Sequence, residues 1–146
     1  MSNDFIAENT ASLASLRALV DRLSDDDLNR LVGDGWTVAA ALAHLAFWDQ
    51  RAVTLSAHRE RLQAVSRLAP EEVDSINDAV HVLCLAIPPQ AAAQISLASA
   101  EAANHAMALL SPEDVEQVKA AGMPFNLSRA LHRREHIEQI ESLLAH

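Results

Sequence analysis

The sequence predicts an all-α protein built as a four-helix bundle, with short extra helices in the connections. Half of the 146 residues are hydrophobic, yet the aromatic residues are only three phenylalanines and two tryptophans. Apolar residues recur at helical spacing along most of the chain, and no segment shows the alternation typical of a strand. The length fits one domain, residues 1–146, that can bury a core of its own.

The amino-terminal half is predicted to hold two long helices with a short one between them. The first covers residues 5–23, where apolar side chains recur until the segment SDDD. Ser24 can cap a short helix that continues to Leu31, because the aspartates after it suit the positive end of the helix dipole. The segment GDGWTV then interrupts the pattern, and Thr37 caps the second long helix, over residues 38–62.

The carboxyl-terminal half is predicted to hold the other two long helices. A shorter helix opens at APEEV and ends before the prolines at 88 and 89, and the third long helix covers residues 89–110. SPEDV starts another short helix, and Asn126 caps the final helix, over residues 127–145. The connection of about 25 residues between the second and third long helices is long enough to make them parallel, in an up-down-down-up order.

The charge of the chain excludes one class of partner. The formal net charge is −9 and the isoelectric point is near 5.1, so the surface repels phosphate backbones and a nucleic-acid partner is not expected. No apolar run approaches the roughly 20 residues that cross a bilayer. The segment MSNDFIAENT lacks the basic and apolar regions of a signal peptide, so we expect a cytoplasmic protein with no membrane association. The single cysteine, Cys84, is expected to be a core residue.

Two histidines stand one turn apart on the predicted final helix, in ALHRREHIEQI. His132 and His136 share the face of Ile140 and Leu143, whereas Arg134 lies on the opposite side. Two buried imidazoles without partners would cost roughly 1 to 3 kcal/mol each. A divalent metal ion is a suitable partner, because residues on adjacent turns can ligate one ion.

His44 is the best candidate for a third ligand, because it lies on the inward stripe of the second long helix, near Trp48. The alternative for each of these histidines is a hydrogen-bonded core residue, and a pair four residues apart can arise by chance among seven histidines. Neither Asp49 nor Glu135 shares the ligand face by helical angle, so the pattern shows no obvious general base.

Two segments, GWTVAAALAHLAFWDQR and HRREHIEQI, resemble the DinB-like superfamily, which includes the metal-binding domain of mycothiol-dependent maleylpyruvate isomerases. The resemblance spans about the whole chain and implies an up-down-down-up bundle. In that family one histidine follows the GW entrance of the second helix and an H-x-x-x-H pair lies in the last helix. His44, His132 and His136 stand at those positions, which implies a three-histidine metal site.

This resemblance implies a divalent-metal-dependent enzyme that acts on a small molecule by thiol-dependent transfer, isomerisation or hydrolysis. Zinc and nickel are the first choices and iron is another, since three neutral histidines fit each and select none. A low-molecular-weight thiol as cofactor follows from the family and from no residue of this chain. Two alternatives stay open: a non-catalytic metal-binding or stress-related module, and a bundle whose histidines bind no metal.

Other residues give weaker indications. Arg129, one turn before His132, can hold a substrate carboxylate, or else form a salt bridge with an acidic neighbour. Asp74, Asp78 and His81 share one helix face and either form a second ion site or are solvated polar residues. The alanine-rich surface QAAAQISLASAEAA suggests self-association, and we expect a homodimer.

Overall fold

The structure is a computed structural model that describes residues 4–146, so the first three residues of the predicted domain lie outside the described residues. Within this range eight helices and one small hairpin follow each other. The helices are α1 (Asp4–Asp21), α2 (Asp25–Leu28), α3 (Val38–Ala57), a 3-10 helix (Arg59–Ala64), α4 (Pro70–Ala86), α5 (Pro89–Ala108), α6 (Pro112–Ala120) and α7 (Ala130–Leu144). The predicted all-α fold is confirmed.

Contacts at both ends of the bundle give the directions of its long helices. Gln90, at the start of α5, bonds Asp25 just past the end of α1, and Asn104 near the end of α5 bonds Asn9 near the start of α1. These two helices are therefore antiparallel. Arg22 pairs with Glu141 near the end of α7, whereas Asn9 lies beside the start of α7. The parallel pair α1 and α7 is compatible with the predicted up-down-down-up order.

The helix α3 lies at the centre of the packing. It contacts α4, α5 and α7, and 12 of its 20 residues are buried. Half of these are alanines, as are several buried residues of α5, and small side chains allow two helix backbones to approach closely. Burial on several sides also encloses three polar residues, His44, Asp49 and Ser56.

Two of the predicted helix starts are confirmed by their caps. The Ser24 hydroxyl accepts a hydrogen bond from Asp27 N, and the Asp27 carboxylate accepts one from Ser24 N. The Thr37 hydroxyl accepts a bond from Ala40 N at 3.0 Å and so begins α3. Both side chains replace helical partners that the first N–H groups lack.

Several predicted bounds were wrong. The short helix after Ser24 ends at Leu28, and the chain then forms a hairpin of β1 (Leu31–Gly33) and β2 (Trp36–Thr37). Gly35, in the turn, has a φ of +80°, which a glycine adopts without strain. This hairpin corrects the expectation that the chain holds no strand.

The helix ends also differ from the predictions. The second long helix ends at Ala57 and not at residue 62, and a separate 3-10 helix follows it over Arg59–Ala64. The final helix begins at Ala130 and not at residue 127, and Arg129 occupies its cap position without a side-chain cap bond. Asn126 is therefore not the cap of α7. Its side-chain oxygen instead accepts a hydrogen bond from Arg67.

None of the helices described in residues 4–146 is long and apolar enough to cross a membrane. Cys84 is buried among apolar side chains, as expected, and this burial raises the pKa of its thiol.

Candidate metal centre

Three histidines from two helices meet inside the bundle. His44 comes from α3 and is buried, and His132 and His136 come from successive turns of α7 and are partly buried. One ring nitrogen of each histidine lies within 4.8 Å of one from each of the others. Among residues 4–146 this is the one group of three possible ligands that are this close.

The spacing of the rings fits a metal ion. Their centroids form a nearly equilateral triangle, with sides of 5.0 Å (His44–His132), 5.2 Å (His44–His136) and 4.9 Å (His132–His136). A Zn–N bond is about 2.0 to 2.1 Å and a ring nitrogen lies about 1.1 Å from its centroid, so tetrahedral ligands place their centroids about 5.2 Å apart. The three rings could therefore hold a divalent ion with little movement.

Unpaired polar atoms also fit this reading. Nδ1 of His44 and Nδ1 of His136 are buried and have no hydrogen-bond partner among the described residues. Buried polar atoms usually have a partner, and an unpaired one costs roughly 1 to 3 kcal/mol. An ion bound between the rings would supply a partner for imidazole nitrogens in this position.

A hydrogen-bonded cluster fixes the ring of His44. Nε2 of His44 lies 2.8 Å from Oδ1 of Asn77 on α4, and the Trp48 indole N–H donates to the same oxygen at 2.9 Å. If Nε2 carries the proton, both groups donate to Asn77 and use its two lone pairs. The same indole N–H also lies 3.0 Å from Nε2 of His44. Nε2 thus contacts both neighbours, and Nδ1 is the ring nitrogen of His44 that has no partner among the described residues.

The electrostatics keep the three imidazoles neutral. Burial, with a smaller contribution from His136, lowers the pKa of His44 to about 4. Burial, helped by the other histidines and by Arg129 and Arg133, lowers the pKa of His132 to about 2. Burial lowers the pKa of His136 as well. A metal ion needs neutral imidazoles as ligands, so this environment suits one.

Acid is expected to destabilise the metal-free protein through these histidines. Their pKa values are below the ordinary 6.5 in the folded chain, so below pH 6.5 the unfolded chain binds more protons than the folded chain. The free energy of unfolding should then fall between pH 7.5 and pH 5, by about 2 kcal/mol from His44 alone. Urea denaturation of chelator-treated protein at both pH values measures this.

The matched variants for the pH experiment are His44→Gln and His105→Gln, because His105 is exposed on α5. The free energy of unfolding of His44→Gln should change less between the two pH values than that of the wild type. The change for His105→Gln should equal that of the wild type. Equal stability of the wild type at pH 7.5 and pH 5 would show that the buried rings do not resist protonation.

A buried ion network lies beside the histidines, and the sequence predicted only one part of it, as an alternative: a salt bridge of Arg129 with an acidic neighbour. Asp49 of α3 accepts a bond from Arg129 Nε at 2.9 Å and one from Arg133 Nη2 at 3.3 Å. Arg133 is only 1% exposed and also donates to Asn9 O and Ser12 Oγ of α1, and to Ala100 O of α5. The network therefore joins α1, α3, α5 and α7.

The other predicted site residues lie outside the group of three histidines. Arg129 forms the salt bridge with Asp49 and donates two more bonds, to Asn126 O and Trp48 O. Its predicted contact with a substrate carboxylate stays a prediction. Asp74 and Asp78 are exposed, and His81 packs against Trp36, with ring centroids 4.2 Å apart.

A cleft of about 290 Å³ opens beside His132. Its walls come from α3, the segment before α4, α4 itself, the segment before α7, and α7 itself. They include Arg51, Arg129, Glu135 and Asn77. One member of the histidine group thus lies on the wall of a cavity, where a small molecule can approach it.

Comparison with known protein families gives a match over most of the chain. The family model of the DinB superfamily matches residues 8–140, a range that contains His44, His132 and His136. A search of curated proteins and a search of solved structures each found no match.

Proposed function

This chain belongs to the DinB superfamily, and from that premise we propose that it is a divalent-metal-dependent enzyme acting on a small molecule. His44, His132 and His136 are the proposed ligands, and zinc or nickel is the proposed ion, with iron as a third option. The observation that carries the proposal is the triangle of neutral rings beside a cleft.

The cleft favours an enzyme over a structural metal site. A structural site is closed by four protein ligands, whereas a catalytic site keeps a position open for water or substrate. Here three possible ligands lie close together among the described residues, and His132 lines a cleft. A divalent ion held by His44, His132 and His136 would supply Lewis-acid chemistry, which generates a nucleophile from water or a thiol for hydrolysis, transfer or isomerisation.

The protein's own residues orient the ring of His44 and keep the proposed ligands in their neutral form. Asn77 and Trp48 hold the His44 ring in one orientation, an arrangement that usually strengthens binding at metal sites. The low pKa values of His44 and His132 keep protons from competing for their nitrogens at neutral pH. Glu135 lies on the cleft wall, and we propose it as the carboxylate nearest to a bound substrate.

Turnover tests this function directly. Metal-loaded protein should convert at least one member of a panel of electrophiles, esters and amides, tested with and without small thiols. His132→Ala should lower that rate by at least about 100-fold, since it removes a ligand. His105→Ala, which changes an exposed histidine of the same type, should keep the activity.

Inactivity of metal-loaded protein over the whole panel would instead support a non-catalytic metal-binding or stress-related module. Activity that survives in His132→Ala would rule out the proposed centre as the catalyst. The thiol cofactor and the cytoplasmic location remain predictions from the sequence and its family.

A homodimer remains part of the proposal, but its expected interface was wrong. The segment QAAAQISLASAEAA packs mostly inside the chain, where Ala92, Ala93, Ala100 and Ala103 are buried. Ala79, Val82, Leu83 and Ala86 are exposed at helical spacing on α4, with Val82 70% and Leu83 67% accessible. An apolar stripe of this kind normally packs against another helix. We propose that it packs against a second copy of the chain. Light scattering should give twice the chain mass for the wild type.

The variant V82E/L83E should be monomeric, because it places two charges in the proposed contact. Leu109→Glu, at a leucine that is 70% exposed beyond the end of α5, should remain a dimer. A monomeric wild type would contradict this interface.

A further inference from the structure

The cleft beside His132 concentrates positive charge in an acidic protein. Three of the eleven basic residues, Arg51, Arg67 and Arg129, line it together with one acidic residue, Glu135. The whole chain carries a formal charge of −9. The cleft is therefore a positively charged region on a negatively charged protein.

Two of these arginines have no carboxylate partner. Arg129 is paired with Asp49, but no acidic side chain of residues 4–146 lies within 4.0 Å of the charged nitrogens of Arg51 or Arg67. Each of these two guanidinium groups donates its hydrogen bonds through Nη1 alone. Arg51 donates to Pro124 O at 3.0 Å, and Arg67 donates to Met123 O and to the side chain of Asn126.

Both guanidinium groups are thus attached to one short segment, residues 123–126, in front of α7. Their Nε and Nη2 atoms make no hydrogen bond within the described part of the chain. Arg51 also lies over the Trp48 ring at 5.8 Å, which limits its movement. Burial and the positive charge of Arg129 lower the pKa of Arg51, and a bound anion would stabilise the charged form of its guanidinium.

We propose that Arg51 and Arg67 form an oxyanion subsite that binds the carboxylate or phosphate group of a small organic anion. A guanidinium presents parallel N–H donors that match the two oxygens of either group. Leu68, Val73 and Leu131 line the same cleft and provide apolar contacts for the body of the ligand. The volume of about 290 Å³ suits a small metabolite and excludes a folded partner.

This inference deepens the proposed function, on which it rests only for the role of the neighbouring metal. With the anionic group on Arg51 and Arg67, the other end of the ligand would lie near His132, which lines the same cleft. The predicted substrate is therefore a small organic acid or phosphate ester and not a neutral or cationic molecule.

Binding of three matched probes tests the subsite. Benzoate, phenyl phosphate and neutral benzamide share a ring and differ in the head group. Each is titrated into chelator-treated and into zinc-loaded protein, and the arginine and tryptophan side-chain N–H signals are followed by NMR. At least one anion should bind to both forms and shift the signals of Arg51 and Arg67. The tighter anion identifies the head group, and benzamide should bind at least about tenfold more weakly.

Arginine variants assign the binding to these two residues. Arg67→Gln alters an exposed residue, and it should weaken anion binding about tenfold while the fold is kept. Arg51→Gln should do the same, and Arg51→Lys should restore part of the affinity if the Gln variant is unstable. Arg134→Gln is the matched control, because Arg134 lines a separate groove between α1 and α7.

The outcomes separate this inference from the proposed function. Absence of anion binding, equal binding of benzamide, or unchanged affinity in Arg51→Gln and Arg67→Gln would overturn the subsite. Anion binding in a protein that takes up no metal would keep the subsite and refute the metal-dependent enzyme. Metal uptake without anion binding would refute the subsite alone.

Discussion

Replacing Asp49 with alanine is expected to lower the free energy of unfolding by about 3 to 5 kcal/mol, because it leaves two buried guanidinium groups without their shared carboxylate. Arg129 and Arg133 are 8% and 1% exposed, so water replaces the lost carboxylate poorly, and least of all at Arg133. Their positive charges would also repel each other without the anion between them. Urea denaturation at pH 7.5 measures the change.

A surface ion pair provides the control for this experiment. Arg17 and Glu101 also pair at 2.7 Å, but both side chains are about half exposed. Glu101→Ala should therefore cost less than about 1 kcal/mol. If Asp49→Ala lowered the free energy of unfolding by no more than Glu101→Ala does, the buried network would contribute no more than a surface pair.

The same network positions the candidate metal centre. Asp49 follows His44 by five residues on α3, and Arg133 is next to His132 on α7. Their ion pair joins the two helices from which the three histidines come. Asp49→Asn, which keeps the shape of the side chain, should loosen this contact and weaken metal binding even where the protein still folds.

Metal is expected to raise the melting temperature of the chelator-treated protein by about 10 °C. An ion that binds only the folded chain, at a free concentration a thousandfold above its Kd, adds about 4 kcal/mol to the free energy of unfolding. For a chain of about this size each kcal/mol corresponds to roughly 2 to 4 °C. Calorimetry of the same sample before and after zinc addition gives the shift.

The metal-dependent shift should disappear in His136→Ala and persist in His105→Ala. The difference between the two scans of each variant is the relevant quantity, because His136→Ala also changes the stability of the metal-free fold. A wild-type melting temperature that zinc leaves unchanged would support the remaining alternative, a bundle whose histidines bind no metal.

The sequence predicted the parts of the site that depend on spacing along one helix. His132 and His136 share a face because they are four residues apart, and a helix fixes that geometry. The inward position of His44 also followed from the stripe of apolar residues on α3. The structure brings the three rings together, although metal binding itself stays a prediction.

Beyond a salt bridge of Arg129, the buried ion network could not be predicted in this way. Helical angles place Asp49 away from His44, and that is usually the solvent side of a helix. The helix α3 is instead covered on several sides, so Asp49 is 3% exposed although it lies off the ligand face. Arg133 is buried for the same kind of reason, because its partners come from three other helices.

Local geometry also limited the prediction of the loops. The strands β1 and β2 have three and two residues, which is too short for an alternating pattern to be visible. The apolar pattern therefore predicted that Leu31 ends a helix, whereas Leu31 lies in the hairpin and is 61% exposed. Asn126 read as a helix cap, whereas its side chain accepts a hydrogen bond from Arg67.

Metal stoichiometry tests the central claim most directly. Protein purified without an affinity tag, dialysed after zinc or nickel loading, should contain one ion per chain by elemental analysis. His44→Ala, His132→Ala and His136→Ala should each contain almost none, while His105→Ala should match the wild type. A wild type without bound metal, or three triad variants that retain a full equivalent, would contradict the account.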